Sequence, residues 1–355
     1  MVLVTGSLSI ISYNLRLSNS QSLNSENSLW LKTANLPNTK APKTFQLELP
    51  RQANYLDQTL NGYQNYKLKL REIVIQENPK AALNQLQNDL KTEITVQQNC
   101  HSYTHLIGNF ALEKYSFDLE KSISYNLDTC GGGYLHGIIE DYLEKYPEKR
   151  SDLYSICKNP LDGGCFHALG HGFMLKNEFD TDISVLDCDI LNTAKQRQRC
   201  GEGVFMENFG SANVSDSEKP FLKSTDPFYP CNKYKTPYLD DCYYYSGRYV
   251  YRLEKDPYLS LQKCLTLKNE FSALCVRGMA AGILRDNLTT PEKLEKICLS
   301  IASQLRSCLT GAVNYHIFMF DSKDKTQNEM CKKFTEFKLK KTCTELVQES
   351  KINFE

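Results

Sequence analysis

Tyr258-Leu-Ser-Leu-Gln-Lys-Cys264-Leu-Thr-Leu-Lys-Asn-Glu-Phe271-Ser-Ala-Leu-Cys275-Val-Arg-Gly278-Met-Ala-Ala-Gly282 is the stretch on which the fold turns. Apolar residues at helical spacing lead up to Cys264, and a polar loop follows at Thr266-Leu-Lys-Asn-Glu270. A second helical run then opens with Cys275 in its first turn. A disulfide from the closing turn of one helix to the opening turn of the next suits an antiparallel hairpin.

Outward from this unit the same pairing recurs at Cys157–Cys165, Cys188–Cys200, Cys231–Cys242, Cys298–Cys308 and Cys331–Cys343, leaving Cys100 and Cys130 as a seventh pair. The second members, together with Cys130, stand at 130, 165, 200, 242, 275, 308 and 343, mostly 33 to 35 residues apart. A fixed period of that size marks stacked supersecondary units. Glycine keeps the same register. Three residues past the cysteine stand Gly133, Ala168, Gly203, Gly278 and Gly311, with Tyr245 the exception, and seven past stand Gly137, Gly172 and Gly282. Offsets of three and seven share one helix face, where each glycine costs about 1 kcal/mol against alanine. A cost repeated at one position predicts close helix–helix approach.

The expected fold is therefore all-α, an α-solenoid of disulfide-stapled antiparallel helical hairpins over residues 79–350. Pro79 suits a first helical turn, and Ala82, Leu83, Leu86 and Leu90 follow at helical spacing. Residues 1–50, rich in Ser, Asn, Gln and Thr, read as an extended arm. Residues 51–78 read as an irregular lead-in, with the alternation in Tyr66-Lys-Leu-Lys-Leu-Arg-Glu-Ile-Val-Ile75 suggesting a short strand.

Period and architecture resemble the tetratricopeptide and Sel1-like α-solenoids, and Cys157-Lys-Asn-Pro-Leu-Asp-Gly-Gly-Cys165-Phe-His-Ala-Leu-Gly looks like the stapled hairpin of the cysteine-rich Sel1-like proteins. The likeness is specific at that hairpin; elsewhere the intervals are longer and the Sel1-like Ala-Gly signatures are mostly missing. It implies a secreted helical-repeat binding scaffold and no catalytic residue.

An even count of fourteen cysteines at regular local spacing argues for oxidation and an extracytoplasmic setting: secreted, periplasmic or cell surface. Structural zinc sites use Cys-x2–4-Cys spacing, whereas these intervals are longer. Residues 2–15 are uncharged and mildly apolar, either a degenerate signal or membrane tether or a plain arm. The sequons Asn213-Val-Ser215 and Asn287-Leu-Thr289 fit export. Forty-two basic residues balance forty-two acidic ones, which disfavours nucleic acid as a partner.

Five of six histidines fall between residues 101 and 171: His101, His105, His136, His167 and His171. His101/His105 and His167/His171 are His-x3-His pairs, each presenting two imidazoles on one helix face. Glu140 stands four past His136, and Glu207, seven past Cys200, offers a carboxylate from the next repeat. His136 and His171 share an offset of six from their cysteines, so neighbouring helices would present them side by side, while His101 and His105 sit one residue out of that register. Such a set suits zinc or non-haem iron; the alternative is packing histidines. No Gly-x-Ser-x-Gly, His-Glu-x-x-His or phosphate-loop motif is present. The leading expectation is an exported repeat scaffold with a metal site, its concave surface meeting a protein or glycan ligand. A metal-dependent hydrolase or oxygenase, and a purely structural surface protein without metal, are the alternatives.

Overall fold

The computed structural model describes residues 59–354, apart from 128, 150–152, 155–156, 158–161, 211–218 and 321–326. The arm at residues 1–50 and the sequon at Asn213 lie outside the described residues. Fifteen α-helices and no strand occur among the described residues. They are α1 (Thr59–Gln76), α2 (Pro79–Asp89), α3 (Ile94–Lys114), α4 (Leu119–Ile123), α5 (Gly133–Lys145), α6 (Asp162–Lys176), α7 (Thr181–Asp189) and α8 (Ala194–Gly210). The series continues with α9 (Leu239–Glu254), α10 (Pro257–Leu265), α11 (Asn269–Asp286), α12 (Glu292–Ser300), α13 (Leu305–Phe320), α14 (Gln327–Lys332) and α15 (Phe337–Phe354). No helix of the described residues is long and apolar enough to cross a membrane.

The irregular lead-in is corrected: from Thr59 to Gln76 the chain is helical. Leu70 and Val74, one turn apart, are fully buried, while Leu68 and Ile75 are 61% and 54% exposed. Those two exposed apolar residues produce the apparent alternation, whereas the buried ones keep the helical period.

Short and long helices alternate. α2, α4, α7, α10, α12 and α14 each pack on the long helix that follows, and the long helices from α3 to α15 pack on one another in chain order. Caps explain where the short helices start. Asp118, Asp180 and Asp256 accept from backbone N–H groups at the starts of α4, α7 and α10, satisfying donors that a helix start leaves open. The two residues before Asp118 and before Asp180 (Ser116, Phe117, Glu178 and Phe179) take positive φ and end the preceding long helix. Phe117 N donates to Leu112 O at 2.8 Å and Phe179 N to Met174 O at 2.7 Å. The sequence Phe-Asp thus works twice as a stop-and-restart signal.

All fourteen cysteines are in disulfides. Cys188–Cys200, Cys264–Cys275, Cys298–Cys308 and Cys331–Cys343 each join a short helix to its long one. Cys157–Cys165 and Cys231–Cys242 tie the chain ahead of α6 and α9 to those helices. Cys100–Cys130 differs, because it links α3 to the turn that opens α5. That turn needs left-handed backbone at Cys130, Gly131 and Gly132, with φ of 55°, 71° and 69°, a conformation that favours glycine. The ring of Phe318, near the end of α13, lies against Gly131, where a Cβ would stand 2.4 Å from ring Cε1.

The glycine column lies where long helices touch. A Cβ at Gly203, Gly278 or Gly311 would fall 2.0, 1.7 and 2.0 Å from a backbone carbonyl of the preceding long helix. A second series, Gly108, Gly170 and Gly247, does the same against the following helix, at 2.2, 1.9 and 2.1 Å. Tyr245 breaks the column where the spacing widens between Cys200 and Cys242. Its ring is buried, and α9 touches α8 less extensively than it touches α11. At Asn287 the second sequon is buried, and its amide donates to Ile283 O at 2.8 Å. A glycan there would break that packing.

Candidate metal centre

Three successive long helices carry the histidines inward. α3 supplies His101 and His105, α5 supplies His136 and Glu140, and α6 supplies His167 and His171, with Glu202 and Glu207 on α8. All seven residues singled out in the sequence lie in one cluster. His136, His167 and His171 are at most 3% exposed, and Glu140 and Glu207 are buried as well. The rings of His136 and His171 are stacked with centroids 4.6 Å apart. His136 is central, within 5.1 Å of the rings of His101, His105 and His167.

The register offset of His101 and His105 does not exclude them. Cys100 is the seventh residue of α3, as Cys200 is of α8, but it is bonded across to the turn before α5, so offsets counted from it differ from those counted from a cysteine tied to its own hairpin.

Hydrogen bonding fixes which ring nitrogen points where. His101 Nδ1 lies 2.7 Å from Cys130 O, His105 Nδ1 3.1 Å from Glu140 Oε2, and His171 Nδ1 2.7 Å from Glu207 Oε1. His167 Nδ1 is 3.5 Å from Glu202 Oε2. Carbonyl and carboxylate oxygens only accept, so each Nδ1 carries the proton and each Nε2 presents a lone pair. Those lone pairs then face each other. His101 Nε2 and His105 Nε2 are 3.0 Å apart, and His167 Nε2 and His171 Nε2 are 2.9 Å apart. His136 Nδ1 is 3.2 Å from His105 Nε2.

Two acceptors facing at that distance repel unless a cation lies between them. With metal–nitrogen bonds of about 2.1 Å, neighbouring ligands sit about 3.0 Å apart in octahedral and about 3.4 Å apart in tetrahedral geometry. The observed spacings fall at that scale. Groups of ligand atoms able to hold an ion are His101, His105 and His136; His136, His167 and His171; and Glu140, His171 and Glu207. The first two share His136 and the last two share His171.

Electrostatics favours neutral imidazoles at His101, His136 and His167. Burial and the neighbouring imidazoles hold His101 and His136 well below the usual histidine range. Burial also lowers His167, against the pull of Glu202. His171 is raised, because Glu207, Glu140 and Glu202 together outweigh its burial. Glu140 Oε1 is a buried oxygen with no hydrogen-bond partner, 3.5 Å from His171 Nδ1.

Glu202 is the residue sequence reasoning missed. Its carboxyl is brought down to about 2: burial opposes this, but His167 and Arg199, whose Nη1 lies 2.6 Å away, overcome it. A signal existed, since Glu202 lies two past Cys200, as His167 lies two past Cys165. The sixth histidine, His316 on α13, is apart from the cluster, its Nδ1 buried without a partner.

Comparison with family models, with curated proteins and with solved structures found no match for this chain.

Proposed function

We propose that the protein is an exported binding scaffold, an α-solenoid of antiparallel disulfide-stapled hairpins that holds a transition metal in its N-terminal repeats. One observation carries this reading: ring nitrogens converge at 2.9–3.2 Å while the Nδ1–H of His101, His105, His167 and His171 faces an oxygen behind the ring. That is how metal-ligating histidines are oriented, with a carboxylate or carbonyl behind the ring. A set of imidazoles with carboxylates and no thiolate suits zinc or non-haem iron. The chain-order packing of long helices and the seven local disulfides support the solenoid and an oxidising compartment. A protein or glycan on the concave surface is the partner this architecture favours, with no nucleic acid.

Glu140 Oε1 supports a second reading, a metal-dependent hydrolase or oxygenase. A buried carboxylate oxygen without a hydrogen-bond partner beside the ligand groups would supply a general base, were a metal held there to activate water.

Elemental analysis of purified protein tests the metal. Wild type should retain zinc or iron after dialysis, and His136→Ala, which removes the ligand shared by two groups, should lose it while keeping the helical circular-dichroism spectrum. A metal-free wild type under metal-replete expression would leave the structural reading without metal.

A further inference from the structure

The histidine cluster is built in two halves. His101 and His105 stand one turn apart on α3, and His167 and His171 repeat that spacing on α6. Between these helices packs α5, which carries His136. Its approach to both is close. A Cβ at Gly137 would fall 2.1 Å from His105 O, and one at Gly172 would fall 2.6 Å from Leu143 Cδ1. Neither contact leaves room for a side chain, so His136 is held near both pairs.

Each pair meets the same difficulty separately. His101 Nε2 and His105 Nε2 are 3.0 Å apart, and His167 Nε2 and His171 Nε2 are 2.9 Å apart. All four rings turn Nδ1 to an oxygen, so each half sets acceptor against acceptor and needs a cation of its own. His136 is the exception, since its Nδ1 faces His105 Nε2 at 3.2 Å. A proton on that nitrogen satisfies one lone pair in the α3 half and none in the α6 half.

One ion cannot serve both halves. Bonds of about 2.1 Å keep the ligand atoms of a single ion within about 4.2 Å of one another. Among the described residues, ligand atoms within 4.8 Å of one another put His101 and His105 in one group and His167 and His171 in another, and His136 is the member common to both. Glu140 is shared in the same way behind the rings, with Oε2 3.1 Å from His105 Nδ1 and Oε1 3.5 Å from His171 Nδ1. Imidazole ligates through either ring nitrogen, so a ring between two ions offers one nitrogen to each.

We propose that the cluster is a dinuclear centre, with one divalent transition ion on His101, His105 and His136, a second on His136, His167 and His171, and His136 bridging them as an imidazolate. Binding of both ions displaces the last ring proton of His136, which leaves to solvent. Three imidazoles leave a fourth tetrahedral position open at each ion. The second ion presupposes that the cluster binds metal, as proposed above, and adds to that reading a second site and a shared ligand.

Chelator-treated protein titrated calorimetrically with zinc chloride, then dialysed for elemental analysis, should hold two ions per chain. The double variants His101→Ala/His105→Ala and His167→Ala/His171→Ala should hold one each and keep the helical circular-dichroism spectrum. Loading with cupric chloride reads the bridge. Spins on two cupric ions joined by an imidazolate couple, so the low-temperature paramagnetic resonance signal per ion in wild type should fall several-fold below that of either double variant. One ion per chain in wild type would overturn the dinuclear centre and leave a scaffold with a single metal. No ion would overturn both readings. Two ions with full, uncoupled signals in wild type would show that His136 does not bridge, and would overturn the proposal. If a double variant fails to fold, wild-type stoichiometry and the signal per ion against a free cupric standard decide the matter.

Discussion

Gly278→Ala adds one methyl group to α11, and the structure sets what that methyl meets. Its Cβ would stand 1.7 Å from the Tyr244 carbonyl oxygen, 2.8 Å from the carbonyl carbon and 3.2 Å from Arg248 N, all of them backbone atoms of α9. A close carbon–oxygen contact needs about 3.3 Å, so α9 and α11 must part by about 1.5 Å. No rotamer change can relieve this. Separation on that scale loosens the buried Val276, Met279 and Ala280 of α11 and Val250 of α9. Overpacking of this kind costs about 1–3 kcal/mol or more, and alanine's better helix propensity returns about 1 kcal/mol. The net is a loss of up to about 2 kcal/mol, or about 3 °C in Tm for roughly 300 folded residues at about 2.1 cal/mol/K each. Gly62→Ala is the matched control. At that position on α1 a Cβ meets nothing within 4 Å, and the change should stabilise by up to about 1 kcal/mol. Thermal unfolding followed by far-UV circular dichroism compares the two. An unchanged or raised Tm in Gly278→Ala would show that α9 and α11 do not approach as described, and the interface argument for the whole column would fail with it.

Glu207→Gln replaces the carboxylate behind His171 with a neutral amide and should weaken metal retention about 10–100-fold, read by competition with a chelator of known affinity. Retention equal to wild type would mean that Glu207 does not orient a ligand. His316 gives a pH dependence away from the cluster. Burial, helped by Lys333, lowers its pKa to about 4, so below the ordinary value of about 6.5 the unfolded chain binds a proton that the folded chain refuses. Stability from this group is therefore intact at pH 7 and falls as pH drops from about 6.5 to about 4, by up to about 3 kcal/mol. His316→Gln should flatten that stretch of the Tm–pH curve; a curve parallel to wild type would refute the assignment.

Much of the architecture was legible because cysteine and glycine mark backbone positions directly. A disulfide needs two ends of one turn, and a glycine at a helix crossing cannot be replaced without moving a carbonyl. The histidine cluster was legible for the same reason, since offsets from the cysteines count out a helix face. Legibility ended where exposure decides. Leu68 and Ile75 are apolar yet face solvent, so α1 mimicked a strand. Glu202 was passed over because a lone glutamate on a helix is ordinarily a surface residue; only the neighbouring Arg199 and His167 make it a structural carboxylate.

The ring of Phe318 against Gly131 joins places 187 positions apart in the chain. Arrays held only by nearest neighbours unravel from either end, each unit at its own threshold. Here a late helix presses on the turn whose Cys130 carbonyl positions His101. Damage at the end of α13 is thereby felt at the turn before α5, which couples these two distant repeats on unfolding.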